Sequence, residues 1–175
     1  MRISRRTVLF VSAGLLLATA GGMYYLYNMK HITAPREVYV VAPEFSLPNS
    51  AGELVTLSDV KGTVRVVNFW ASWSPYSRDE LQAFVRLKQV YKDDLTIIAL
   101  DRDTNPNVGR AYVNSLGLSD QLLFVFDQQD GYFKKVQGFA VPETLFLDKE
   151  GNIRVHVHGP MTYEEMEMNV KKILE

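Results

Sequence analysis

Hydrophobic positions along this chain change period several times, and each change marks an element. At 64–70 the run Val-Arg-Val-Val-Asn-Phe-Trp is mostly apolar and β-branched, the pattern of a central strand covered on both faces. Leu81, Phe84, Val85, Leu87 and Tyr91 then recur at helical spacing, so 75–91 is expected to be a helix. Its polar side would carry Arg78, Asp79, Gln82, Arg86 and Gln89. Two further apolar runs, 95–100 and 122–126, read as buried strands with a helix at 107–116 between them. A short helix at 132–136, a strand at 144–147, a turn at 149–152 and a returning strand at 153–158 follow. Thr162 then caps a last helix to Leu174 whose inward stripe is Met166, Val170, Ile173 and Leu174. Strands alternating with helices in this way predict an α/β domain.

The segment 7–27 differs, being apolar throughout and preceded by Arg2, Arg5 and Arg6. As a helix it would reach about 32 Å, enough to cross a bilayer core, with Tyr24, Tyr25 and Tyr27 at the far interface. The pattern predicts a single transmembrane anchor with residues 1–6 as its cytoplasmic basic flank. The alternative is a removable export signal, since Ala18-Thr19-Ala20 before Gly21 resembles a cleavage site and Arg5-Arg6 loosely a twin-arginine motif. Either places the domain outside the cytoplasm, in a periplasm or at the cell exterior. Residues 28–41 read as a polar tether, and 42–175 as the folded domain.

Composition narrows the chemistry. The chain has 175 residues, 47% of them hydrophobic, a formal net charge of −1 and no cysteine. That size suits one domain plus an appendage, and the absence of basic runs beyond the N-terminal arginines excludes a nucleic-acid surface. Without cysteine, neither a disulfide nor a metal thiolate site can form.

The turn after the first strand, Trp70-Ala71-Ser72-Trp73-Ser74-Pro75-Tyr76-Ser77, carries the most specific signal. It resembles the redox site of thioredoxin-like proteins, with serine at both positions where those proteins carry cysteine. Three other stretches extend the likeness over 42–175: Ala42-Pro43-Glu44-Phe45-Ser46-Leu47, Lys61-Gly62, and Val141-Pro142-Glu143-Thr144 with Gly151-Asn152-Ile153 behind it. Together they resemble the membrane-tethered TlpA/ResA type, and Pro-Glu-Thr resembles its cytochrome c maturation (CcmG/DsbE-like) branch. The resemblance implies a thioredoxin-like fold, a central mixed sheet flanked by helices, and thiol-disulfide exchange with exported proteins that carry a cysteine pair, such as apocytochrome c. It implies a membrane thiol electron donor and no cofactor.

Within that resemblance Ser74 and Ser77 stand at the attacking and resolving positions, and Glu80 where the family carries an acidic residue beside its thiols. Serine has no accessible oxyanion near neutral pH and forms no disulfide, so the exchange cycle cannot run as the chain is written. Two histories fit, replacement by design in an oxidoreductase or natural loss in a protein kept for binding. Trp73, Pro75, Tyr76, Val141 and Pro142 are the expected substrate-binding residues, with Pro142 in cis and its strand edge open to an extended peptide. Local structure offers plainer roles: Ser74 as N-cap with Pro75 at the first helical position, and Ser77 with Glu80 as a capping box. Serine hydrolysis is disfavoured, since no histidine stands near the turn in sequence. His156 and His158 alternate on one strand face, yet no third metal ligand is evident beside them, so no metal site is expected.

Overall fold

The computed structural model describes residues 40–175. Six strands form one mixed sheet: β1 (Val40–Val41), β4 (Val64–Trp70), β5 (Leu95–Asp101), β6 (Leu123–Phe126), β7 (Glu143–Leu147) and β8 (Asn152–His158), in the order β1-β8-β7-β4-β5-β6. β4, β5 and β6 run parallel, whereas β7 lies antiparallel to β4, β8 antiparallel to β7, and β1 antiparallel to β8 at the edge. A separate two-stranded ribbon joins β2 (Ser46–Pro48) to β3 (Leu54–Thr56). The helices are α1 (Ser77–Tyr91), α2 (Pro106–Ser115), α3 (Gly131–Lys135) and α4 (Tyr163–Leu174).

β4 is central because every one of its residues is buried, so neither face tolerates solvent. Its even-numbered side chains Val64 and Val66 meet Ala83, Phe84 and Leu87 of α1 and Met166 and Val170 of α4. Further along the same face Trp70 packs with Leu81, Val113 and Phe124. Val67 and Phe69, pointing the other way, pack with Phe45, Leu57, Tyr132 and Phe133. Burying each of these large side chains contributes about 1.5–3 kcal/mol. Arg65, an odd residue for such a strand, is held by the carbonyls of Leu57 and Asp148 at 3.1 and 3.2 Å.

The expected elements are present with ends moved by one or two residues, and three differences matter. The helix after the serine turn begins at Ser77 rather than at Pro75, and its N-cap Tyr76 makes no side-chain cap bond. The expected tether to Val41 is too long, since Val40 and Val41 pair with Ile153 and Asn152 as an edge strand. Thr162 does cap α4, completing a reciprocal capping box with Glu165. The apolar segment 7–27 and most of the tether lie outside the described residues. Among the described residues no helix is long and apolar enough to cross a membrane.

Candidate functional site

The C-terminal end of β4 delivers the serine turn to the rim of the sheet. Backbone bonds fold it tightly: Ser74 N–H donates to the Ala71 carbonyl at 3.1 Å, and Ser77 N–H to the Ser74 carbonyl at 3.3 Å. Asp103, from the loop after β5, accepts from both the N–H and the hydroxyl of Ser72 at 2.9 and 3.0 Å. Sequence reasoning missed this anchor, which exists only because β4 and β5 are parallel neighbours ending side by side.

The two serines occupy different surroundings. Ser77 is fully buried, and its hydroxyl oxygen accepts from the Ala71 N–H at 3.3 Å. Ser74 is 3% exposed, and its hydroxyl donates to the Val141 carbonyl at 3.4 Å. The Val141–Pro142 bond is cis, so the proline stands across from the serine turn as expected. Among the described residues neither hydroxyl has an imidazole or carboxylate partner that would activate it as a nucleophile. Beside this buried pair the turn is aromatic and open, with Trp73 65% and Tyr76 53% exposed and Pro75 exposed between them, while Phe139, 74% exposed, stacks on His158 at 4.4 Å. Phe139 was not picked out from the sequence.

Glu80 does not form the expected capping box with Ser77. Its side chain turns inward, 2% exposed, where Oε2 accepts from the Asn68 amide at 2.8 Å and Oε1 from the Met161 N–H at 3.1 Å. Asn68 in turn donates to Thr144 on β7 at 3.0 Å. Burial pushes the carboxyl up to about 7 against the pull of these two bonds. Glu80 is therefore a buried proton-holding group near neutral pH, not a helix cap.

A second cluster lies one residue beyond Pro142. Glu143 is fully buried, with Oε2 accepting from the N–H groups of Phe139 and Ala140, both at 3.0 Å. His156 Nε2 stands 2.7 Å from Oε1, and His158 Nδ1 3.2 Å from Oε2. Burial would raise this carboxyl, yet the four donors hold it below the usual value. The third partner for the two histidines, absent from the sequence reading, is thus Glu143.

Comparison with known proteins agrees with this geometry. Residues 38–156 match the AhpC/TSA family. The chain is 31% identical over 166 residues to the thioredoxin-like protein YneN of Bacillus subtilis, covering 90% of this chain and 95% of that one. It is 29% identical over 133 residues to the thiol-disulfide oxidoreductase ResA of Bacillus anthracis, covering 75% and 76%. A putative thiol:disulfide interchange protein DsbE from Chlorobium tepidum superposes with a TM-score of 0.73 at 22% identity, over 78% of this chain and 97% of that one. With a strand-turn-helix site opposite a cis-proline, and with that matched span, the chain belongs to the AhpC/TSA family and is of the thioredoxin-like type.

Proposed function

We propose that the protein is a redox-silent member of this type, which holds an extended exported polypeptide against the Pro142 groove without exchanging disulfides with it. The observation that carries the reading is the pairing of a buried, sulfur-free Ser74–Ser77 couple with the exposed aromatics Trp73 and Tyr76 on the same turn. Chemistry needs a thiolate at the turn, and no cysteine exists to supply one. Binding needs only accessible main chain and apolar contacts: Val141 lies in the bend that precedes β7, whose own edges are taken by β4 and β8, and the exposed aromatics of the serine turn supply the contacts.

The basic flank and apolar run at 1–27 support a membrane tether with the domain on the non-cytoplasmic side. A natural client is an unfolded exported chain with a closely spaced cysteine pair, such as apocytochrome c before haem attachment, because relatives named thiol-disulfide oxidoreductases act on thiols and disulfides.

The test uses the full chain and its Ser74→Cys/Ser77→Cys variant, each offered a Cys-x-x-Cys-His peptide in oxidised form. The parent should bind the peptide, with Trp73 fluorescence changing, and release no thiol. The variant should bind it equally and reduce it. A parent that does not bind, beside a variant that reduces peptide, would make this chain a disabled oxidoreductase and overturn the binding role.

A further inference from the structure

The histidine pair on β8 and the carboxylate on β7 lie off the serine turn, and their convergence needs its own explanation. Glu143 is directly opposite His158 in the β7–β8 ladder, and His156 lies two residues along on the same face. One ligand atom from each of the three residues falls within 4.8 Å of the others. Around a tetrahedral ion with bonds of about 2.1 Å, neighbouring ligands stand about 3.4 Å apart. The carboxylate–imidazole separations, 2.7 Å to Oε1 and 3.2 Å to Oε2, involve different oxygens, so with one ligand atom from each residue the set spans up to 4.8 Å and side-chain rotations would draw it in to that spacing.

The surroundings are those of a supported ligand set. The Phe139 and Ala140 amides fix the Glu143 carboxylate from behind, as outer hydrogen bonds orient a metal-bound carboxylate. The imidazoles lie against each other with centroids 4.1 Å apart, and the Phe139 ring stacks on His158 at 4.4 Å. Both rings are carried on paired strands, which restrict their positions more than a loop would. The His156 and His158 side chains are 24% and 38% exposed, so an ion can enter from solvent and a fourth position stays open.

We propose that Glu143, His156 and His158 form a divalent-metal site of zinc class, His156 coordinating through Nε2, His158 through Nδ1 and Glu143 through its carboxylate. Two imidazoles and one carboxylate suit borderline ions such as Zn²⁺ or Co²⁺ and disfavour Mg²⁺ and Ca²⁺, which take oxygen ligands. Three protein ligands leave the fourth place to water or an added ligand. The site sits on the strand that leaves Pro142, joined through Glu143 to the 139–140 backbone at the rim of the groove.

The experiment treats the full chain with chelator and titrates it with Zn²⁺ alone by calorimetry, then with Co²⁺ alone by visible absorption. One equivalent should bind with a dissociation constant below about 10 μM, and Co²⁺ should give the intense absorption of a four-coordinate site. His158→Ala should weaken binding at least about 100-fold while leaving the far-ultraviolet circular dichroism unchanged. Glu143→Gln should act in the same direction. If that variant fails to fold, the half-exposed His158 decides. His31→Ala, at the only other histidine in the sequence, should bind as the parent does. Parent binding weaker than about 10 μM, equal binding by His158→Ala, or loss of binding in His31→Ala would each overturn the assignment.

Discussion

Two regions of this domain each enclose a carboxylate, and they treat it in opposite ways. Under the serine turn, Glu80 meets two donors, Asn68 and the Met161 N–H, and burial wins: its carboxyl is pushed up to about 7. In the β7–β8 hairpin, Glu143 meets two backbone amides and two imidazoles, and the donors win, holding it below its usual value. Asp101 at the end of β5 extends the series. Its side chain accepts from the Asp103 N–H alone, at 2.9 Å, and burial pushes it up to about 8 with the Asp103 charge adding to the rise. All three are nearly inaccessible, yet Glu143 lies in a shallower setting than Glu80 and Asp101 and also meets more donors, and depth and donors together set which form each holds near neutral pH. The serine turn has a proton-holding acid near it and no sulfur. The hairpin has a fixed anion with two nitrogen bases.

Removing Glu143 is the most direct way to break that comparison. Glu143→Ala would leave the Phe139 and Ala140 amides without their acceptor and two imidazoles without their carboxylate partner. The expected loss is about 3–5 kcal/mol of unfolding free energy in chelator-containing buffer, read from urea denaturation. Glu80→Ala, which strands two neutral donors only, should cost less, about 1–3 kcal/mol. If Glu80→Ala proved the more damaging of the two at pH 7, the donor argument would be wrong.

A pH series sharpens the contrast from the other side. Glu80 has a folded pKa raised from 4.5 to about 7, so the folded state binds the extra proton. Its contribution is therefore fully present below about pH 4.5 and is lost as pH rises through about 7. The amount at stake is on the order of 3 kcal/mol. Asp101, raised from 3.8 to about 8, contributes with the same sign over a window that ends higher. Stability should fall between about pH 5 and pH 8 in the parent. Glu80→Gln should flatten the part of the fall that ends near pH 7, because glutamine keeps an acceptor for Met161 and offers an amide to the partnerless Asn68 Oδ1. Matching pH slopes in parent and variant would remove Glu80 from the titration.

How much of this was legible in the sequence depends on how local the cause is. The burial of β4 and the cap at Thr162 rest on neighbouring residues and were read directly. Ser77-x-x-Glu80 and Thr162-x-x-Glu165 carry the same local pattern, yet only the second forms a capping box. Thr162 and Glu165 are exposed, whereas Ser77 and Glu80 lie under the sheet rim, where Asn68 and Met161 compete for the carboxylate. Burial of a pattern, not its spacing, decided the outcome.

The hairpin cluster was hidden for a sharper reason. Extending the Leu147–Ile153 pairing without a shift would set Glu143 opposite Val157, on the face away from both histidines. The irregularity between Phe146 and Leu147 moves the register by one residue and turns the carboxylate to His158. A bulge of this kind leaves no composition signal. The anchor of Ser72 on Asp103 was equally invisible, because it spans two loops that meet only once β4 and β5 pair.

The smallest expected effect concerns the rim alone and separates binding from both carboxylates. Trp73 is exposed and none of its contacts supports the core, so Trp73→Ala should leave the urea midpoint and its pH dependence unchanged. Peptide affinity should fall roughly three- to tenfold, the loss of one aromatic contact worth about 1 kcal/mol. The effect on Zn²⁺ binding should be nil, since Trp73 lies on the serine turn while the metal ligands lie on β7 and β8. Calorimetric titration of the same variant with peptide and then with Zn²⁺ checks both statements. A variant that lost peptide binding and metal binding together would show that the two regions act as one site, and the contrast between them would collapse.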